Sequence, residues 1–343
     1  MRPALVLLSL SLLSASLPAG AAEYLITGPE VAGHAVVTVA GGKPTAKATL
    51  KVFGKSPATL TYEGPLALKA DGHGGYAGTL KGRAQTWTPI PVPASSIAAL
   101  AVPGLSTNLW NKIGIRYLDE NLAALQALGF QARRLAIKTE DSVATNAAFI
   151  AAEIRKEAQA GRRVILVAHS KGGSDTTAAL ALNPDLTKAV AGVVLIQPVY
   201  GGSPVAQLVE KHRLLEKAVQ AIFEGVFKGQ KEAVLDISFD ARKVFVGQHP
   251  YPAAQIPTVV VRSSFQRKLS KSVLWANQKI ISYELKQPND GMVIVRDQAV
   301  PGAIKTIDLD DMDHFEPGLR NESKHTPLEV TVRGVLALAP AIR

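Results

Sequence analysis

The ten residues Val164 to Gly173, VILVAHSKGG, constrain the fold of this chain more than any other stretch. An unbroken run of β-branched and aliphatic residues suits a strand buried on both faces, as in the middle of a parallel sheet. It ends in Ala168-His169-Ser170-Lys171-Gly172, and a helix is expected from Gly172 to Leu182. A serine hydroxyl is a weak nucleophile, and folds that use one expose it on a tight strand-to-helix turn with small residues on either side. Ala168 and Gly172 stand two before and two after Ser170, where that turn is crowded. The same letters also suit a serine N-cap on an ordinary βα unit. Ser170 is therefore judged by its partners.

From about residue 95 onward, strand and helix signals alternate. Strands are expected at Ile97 to Val102, Gln131 to Ile137, Val164 to Val167, Val190 to Ile196, Thr258 to Arg262 and Ile304 to Leu309. Helices are expected near Tyr117 to Leu128, Ser142 to Ala158 and Leu328 to Ala337. This βαβα order predicts the α/β class, with a mostly parallel central sheet flanked by helices on both faces. Residues 23–94 read differently. Short alternating stretches at Ala35 to Ala40, Ala46 to Phe53 and Thr59 to Tyr62, with turns at Ala70-Asp71-Gly72 and Gly74-Gly75, predict an N-terminal β-rich region, either a small subdomain or extra strands on a sheet edge. The Pro-rich segment Thr88 to Pro93 marks the boundary to the main domain, 95–343.

Residues 1–22 carry Arg2, an apolar stretch from Ala4 to Leu13 too short to span a bilayer, and the small-residue end Pro18-Ala19-Gly20-Ala21-Ala22. This is the pattern of a cleaved secretory signal peptide, so a secreted or periplasmic location is expected. The chain has no cysteine, which excludes thiol nucleophiles and thiolate metal sites, and any covalent chemistry must use oxygen or nitrogen. The formal charge of +10 becomes +9 once Arg2 leaves with the signal. With Lys and Arg dispersed and aromatic residues few, this favours contact with anionic surfaces such as lipid headgroups rather than nucleic acid.

A serine nucleophile needs a histidine to take its proton and a carboxylate to orient the imidazole. Among the seven histidines, His169 is adjacent to the serine with its side chain directed away, and His34, His73 and His212 fall in the wrong regions. His314, in Leu309-Asp310-Asp311-Met312-Asp313-His314, directly follows the last expected strand, at the edge where such sheets gather their chemistry. Asp290, in Pro288-Asn289-Asp290-Gly291, follows the preceding strand. The order Ser170, Asp290, His314 is the serine, acid, histidine order of one class of hydrolases. Asp290 also suits a plain Asp-Gly turn, with Asp236, Asp240 and Asp297 as other acids and His249 as another base. An oxyanion hole requires backbone N–H groups aimed at the developing charge. Lys171, immediately after the serine, and Leu105, in Pro103-Gly104-Leu105-Ser106 after the first strand of the main domain, are the expected donors.

Val205 to Gly229 places Leu208, Val209, Leu214, Leu215, Ala218, Val219, Ile222, Phe223 and Val226 on a wide apolar face. It reads either as a helix packed on the sheet or, with residues 205–250 as a whole, as a helical cap or lid beside an acyl pocket.

Taken together, Pro103-Gly104-Leu105, Ala168 to Gly173, Gln197 to Pro204, Asn289 to Val293 and Asp313-His314 resemble the α/β-hydrolase superfamily, and bacterial lipases and esterases in particular. The resemblance spans Ile97 to the C-terminus. It implies a catalytic triad of Ser170, Asp290 and His314, oxyanion donors at Leu105 and Lys171, and acyl-ester hydrolysis without a cofactor. Two features depart from it: Pro103-Gly104 stands where such lipases carry His-Gly, and the N-terminal β-rich region has no counterpart. Some of these lipases bind a structural calcium; the cluster Asp308, Asp310, Asp311 and Asp313 reads instead as a solvated loop, with no metal expected. The expected function is an exported serine esterase or lipase acting on small-molecule or lipid esters, with peripheral contact to a lipid interface. Polyester or polyhydroxyalkanoate depolymerisation with the same triad, and a non-catalytic envelope binding protein on the same fold, are the alternatives.

Overall fold

A computed structural model describes residues 21–112, 114–222, 229–267, 272, 274–320 and 323–342. The expected signal segment therefore lies, but for residues 21 and 22, outside the described residues, as do Phe223 and Val226 of the apolar face.

The N-terminal region forms its own antiparallel sheet. Its strands are β1 (Ala22–Gly28), β2 (Val31–Ala40), β3 (Lys43–Val52), β4 (Ala58–Pro65), β5 (Lys69–Ala70), β6 (Tyr76–Leu80) and β7 (Arg83–Ile90), in the spatial order β4-β3-β2-β1-β7-β6-β5. The Asp71 turn is held by its own carboxylate, whose Oδ1 accepts the N–H groups of His73 and Gly75 at 2.8 and 2.9 Å. One face of this sheet closes over Trp87, which is fully buried among Ile26, Val37 and Leu50. The other face contributes Leu25, Ala32, Phe53 and Ile90 to a core shared with Leu125, Leu128 and Phe130 of the main domain. Burying this apolar surface on both sides makes the sheet part of the main domain's core rather than a strand extension of its sheet edge.

The second sheet is parallel throughout, with β8 (Ile97–Val102), β9 (Gln131–Arg134), β10 (Arg163–His169), β11 (Val190–Ile196), β12 (Thr258–Ser264) and β13 (Lys305–Asp310) in the order β13-β12-β11-β10-β8-β9. Helices α1 (Thr107–Lys112), α2 (Asp119–Ala127), α3 (Val143–Gln159), α4 (Lys171–Leu182), α5 (Pro204–Lys211), α6 (Arg213–Ile222), α7 (Glu232–Leu235), α8 (Phe239–Gln248), α9 (Trp275–Leu285) and α10 (Pro327–Leu338) complete the described elements. Strand β10 shows why the apolar run is unbroken. Val164, Leu166 and Ala168 face α3 and α4, whereas Ile165 and Val167 face α2 and α10. Side chains alternate faces along a strand, so a strand buried on both sides needs apolar residues at every position.

Strand β9 ends at Arg134, short of the expected Ile137, because its neighbour β8 leaves the sheet into Pro103-Gly104 and offers only one further carbonyl, that of Ala101, to the Leu135 N–H at 2.9 Å. The amphipathic stretch from Val205, which suits one helix or a helix pair, is a pair that breaks at His212. Helices α1 and α9 had no counterpart in the expected elements.

Strand order reverses between β8 and β10. The chain goes outward from β8 to β9 and then returns to the other side of β8. Loops leaving the C-terminal ends at such a reversal diverge and open a crevice, the place where open α/β sheets bind ligands. Pro103-Gly104-Leu105 follows β8 and Ser170 follows β10, so both border that crevice.

Candidate active site

Ser170 occupies a backbone conformation with φ 56° and ψ −128°, sparsely populated for a non-glycine residue. Its hydroxyl makes no cap bond to α4, which sets aside the N-cap reading. The turn is possible because its neighbours are small. A β-carbon on Gly172 would lie 2.5 Å from the Pro103 carbonyl oxygen, and one on Gly104 would lie 2.8 Å from the Ser170 Cβ.

The three residues singled out as a triad are brought into one hydrogen-bonded line. Ser170 Oγ is 2.7 Å from His314 Nε2, and His314 Nδ1 is 2.7 Å from Asp290 Oδ2. Because Nδ1 faces a carboxylate, it carries the proton and donates it, leaving Nε2 to accept from the serine hydroxyl. Asp290 is fully buried, yet its oxygens are fully engaged. Oδ1 accepts the N–H groups of Met292 and Val293 at 2.9 and 2.8 Å, and Oδ2 accepts the Gln298 amide at 3.1 Å in addition to His314. Asp290 is thus a turn residue and a histidine partner at once. The His314 N–H also donates to the Asp290 carbonyl at 3.0 Å, tying the two loops together.

The alternative acids and base lie elsewhere. Asp236 accepts the Val143 N–H, Asp240 the Gln207 amide, Asp297 packs on Gly201, and His249 stacks on Phe245.

Of the expected oxyanion donors, Lys171 follows Ser170 directly and Leu105 follows Gly104, which packs against Ser170. Lys171 begins α4, where the first N–H groups have no intrahelical acceptor. The Gly104 carbonyl accepts the Thr107 hydroxyl at 2.8 Å, and across a trans peptide the Leu105 N–H points the opposite way. The Lys171 side chain is wholly buried, and its ammonium donates to both oxygens of Asp175 at 2.9 and 3.0 Å. Burial pushes Asp175 up to about 6 against the pull of Lys171.

The acidic loop is solvated at Asp308 and Asp310, as expected, but not at Asp313. Asp308 pairs with Arg262 and Asp310 with Lys324, whereas Asp313 is buried, accepting the Ser272 hydroxyl at 2.7 Å and the N–H groups of Phe315 and Glu316. The turn's own N–H groups satisfy the Asp313 carboxylate, which lets it be buried. Among the described residues no cluster of His, Asp or Glu side chains is arranged to hold a metal ion.

His169, set aside on sequence, is a buried part of the site. Its Nδ1 is 2.9 Å from the Tyr117 hydroxyl, and its Nε2 is 3.0 Å from the His314 carbonyl and 3.1 Å from Gln197 Oε1. Burial, reinforced by the neighbouring His314, drives it down to about 3, so the ring is neutral. Trp110 and Phe315 stack edge to face at 5.6 Å beside His314.

Solved structures sharing this architecture include a metagenomic carboxyl esterase, MGS0156, at TM-score 0.61 and 21% identity, covering 74% of this chain and 78% of the other. They also include the mature form of the lipase BlEst2 from Bacillus licheniformis, at TM-score 0.52 and 25% identity, covering 66% and 87%. This chain has the α/β-hydrolase fold. No family model matches the α/β-hydrolase chain, and no curated protein does. Helices α5, α8 and α9 border an apolar groove of about 410 Å³ lined by Val205, Leu208, Phe239, Ile280, Ile281 and Leu285, and none of Ser170, Asp290 and His314 lines it.

Proposed function

We propose that this α/β-hydrolase is a serine carboxylic-ester hydrolase of the lipase/esterase kind, acting through an acyl-enzyme on Ser170. The observation that carries the reading is the continuous line from Ser170 Oγ through His314 to Asp290, with both contacts at 2.7 Å. As His314 Nε2 takes the hydroxyl proton, Oγ attacks the ester carbonyl carbon and the C=O pair moves onto oxygen. The Leu105 and Lys171 N–H groups receive that oxyanion. The intermediate collapses, the C–O bond to the alcohol breaks, and His314 returns the proton to the departing alkoxide. Water, deprotonated by His314, then attacks the acyl-enzyme and releases the acid. Asp290 steadies the imidazolium in both halves.

The structural neighbours, a carboxyl esterase and a lipase of which the latter is 25% identical, agree with this chemistry. Export is part of the proposal and rests on the Arg2-led apolar segment and its small-residue end. Helices α5 and α6 are proposed as the cap, with Leu208 and Leu214 exposed on it at 52% and 84%. Turnover of p-nitrophenyl esters of increasing acyl length, with and without a lipid–water interface, tests the reading. Hydrolysis that rises with the interface supports a lipase with a moving cap, hydrolysis indifferent to it an esterase, and no hydrolysis by folded protein refutes both.

A further inference from the structure

Three consecutive carbonyl groups of the His314 loop are each held by a side chain from a different parallel strand. Ser263, in β12, donates its hydroxyl to the Met312 carbonyl at 2.9 Å. Gln197, immediately after β11, donates its amide to the Asp313 carbonyl at 3.0 Å. His169, at the end of β10, approaches the His314 carbonyl at 3.0 Å. Neighbouring strands of the sheet thus supply successive rungs.

The hydrogen-bond directions in this row are determined without ambiguity. Ser263 Oγ gives its only proton to Met312 and so accepts from the Gln197 amide. Gln197 uses its nitrogen toward Ser263 and Asp313, so the oxygen it turns to His169 is an acceptor. His169 Nε2 therefore faces two acceptors and must carry the ring proton, which leaves Nδ1 to accept from the Tyr117 hydroxyl. All of these side chains are buried, so none exchanges its partner for water without cost.

We propose that His169, Gln197 and Ser263, with Tyr117 fixing the His169 tautomer, form a carbonyl clamp that positions His314 for proton transfer with Ser170. The inference rests on the reading of Ser170 and His314 as nucleophile and base. A histidine on a loop is only as well aimed as its backbone, and a misplacement of about 1 Å costs on the order of 10² in rate. Gln197 itself sits in the left-handed region at φ 44°, a strained backbone that delivers its amide to the row.

Two replacements of His169 separate positioning from packing. Glutamine places an amide nitrogen where Nε2 stands and keeps the donation to His314, whereas asparagine reaches only as far as Nδ1 and loses it. His169→Asn is expected to lower kcat for a p-nitrophenyl ester by about 10- to 100-fold with KM within about twofold, and His169→Gln to stay within about threefold of the parent in kcat. Ser263→Ala, a milder change, is expected to lower kcat by about three- to tenfold. All rates are taken per site titrated with a fluorophosphonate. Proton NMR of the His314 Nδ1–H gives a readout independent of turnover: a sharp, slowly exchanging resonance in the parent and His169→Gln, broadened or lost in His169→Asn. Equal kcat in His169→Asn and parent, equal losses in both His169 variants, or an unchanged resonance in His169→Asn overturns the clamp. A parent that turns over no ester overturns the hydrolase reading instead, and the resonance alone then decides the clamp.

Discussion

Gly104 packs against Ser170 so closely that a β-carbon there would stand 2.8 Å from the serine Cβ and 3.1 Å from the His169 ring. The loop after β8 and the elbow after β10 thereby meet at the reversal of strand order, which brings the loop of the proposed donor Leu105 up to the serine. The close approach explains why a glycine stands at 104, whichever residue precedes it.

Gly104→Ala must push the β8 loop away from the elbow. Activity toward p-nitrophenyl esters is expected to fall by about 10²-fold, the usual effect of losing one oxyanion donor. Stability is expected to fall by about 1–3 kcal/mol, as for overpacked cores, with a urea melt as the check.

Lys171 and Asp175 form an ion pair with both side chains almost wholly buried. Removing one partner strands a charge in the core. Asp175→Ala is expected to cost about 3–5 kcal/mol in denaturant unfolding, whereas Lys171→Met with Asp175→Leu together is expected to cost far less. Since the proposed oxyanion donor is the Lys171 backbone N–H, which the substitutions leave in place, the double variant is expected to retain ester turnover.

His169 gives the fold a definite pH dependence. Its folded value of about 3 lies below the ordinary 6.5, so between those limits the unfolded chain binds the proton and the native chain does not. Stability contributed by the neutral ring is full above 6.5 and is lost as pH falls toward 3. Asp175, raised to about 6, acts in the opposite sense between 3.8 and 6, since its native state binds the extra proton there. Comparing the parent with His169→Gln cancels the Asp175 contribution. Between pH 7 and pH 4 the parent is expected to lose roughly 3 kcal/mol more than the variant in urea titrations.

Much of this was legible in the sequence. Strands β8 and β11 were read to the residue, because burial on both faces leaves apolar runs with sharp ends. Ser170, Asp290 and His314 were legible from their order and their places after strands. Helix α9 was not, since WANQKIISYEL scatters its apolar residues around the helix and leaves Ile280 and Tyr283 exposed. The β-rich region was seen only in outline: β4 was read from its alternation, whereas β6 was not, because YAGTL is short and does not alternate between buried and exposed positions. The network around His169 was invisible for a different reason. Its partners Gln197, Tyr117 and His314 lie 28, 52 and 145 residues away, and only the folded sheet edge brings them together.

The central claim is that the Ser170 hydroxyl, 2.7 Å from His314 Nε2, is the nucleophile of an ester hydrolase. The direct measurement is mass-spectrometric mapping of a fluorophosphonate adduct, alongside p-nitrophenyl ester turnover of the parent and Ser170→Ala. A single adduct on Ser170, turnover by the parent, and a loss of about 10⁴-fold or more in Ser170→Ala are expected. Parent-level turnover by folded Ser170→Ala, or an adduct on another residue with Ser170 unlabelled, contradicts the claim.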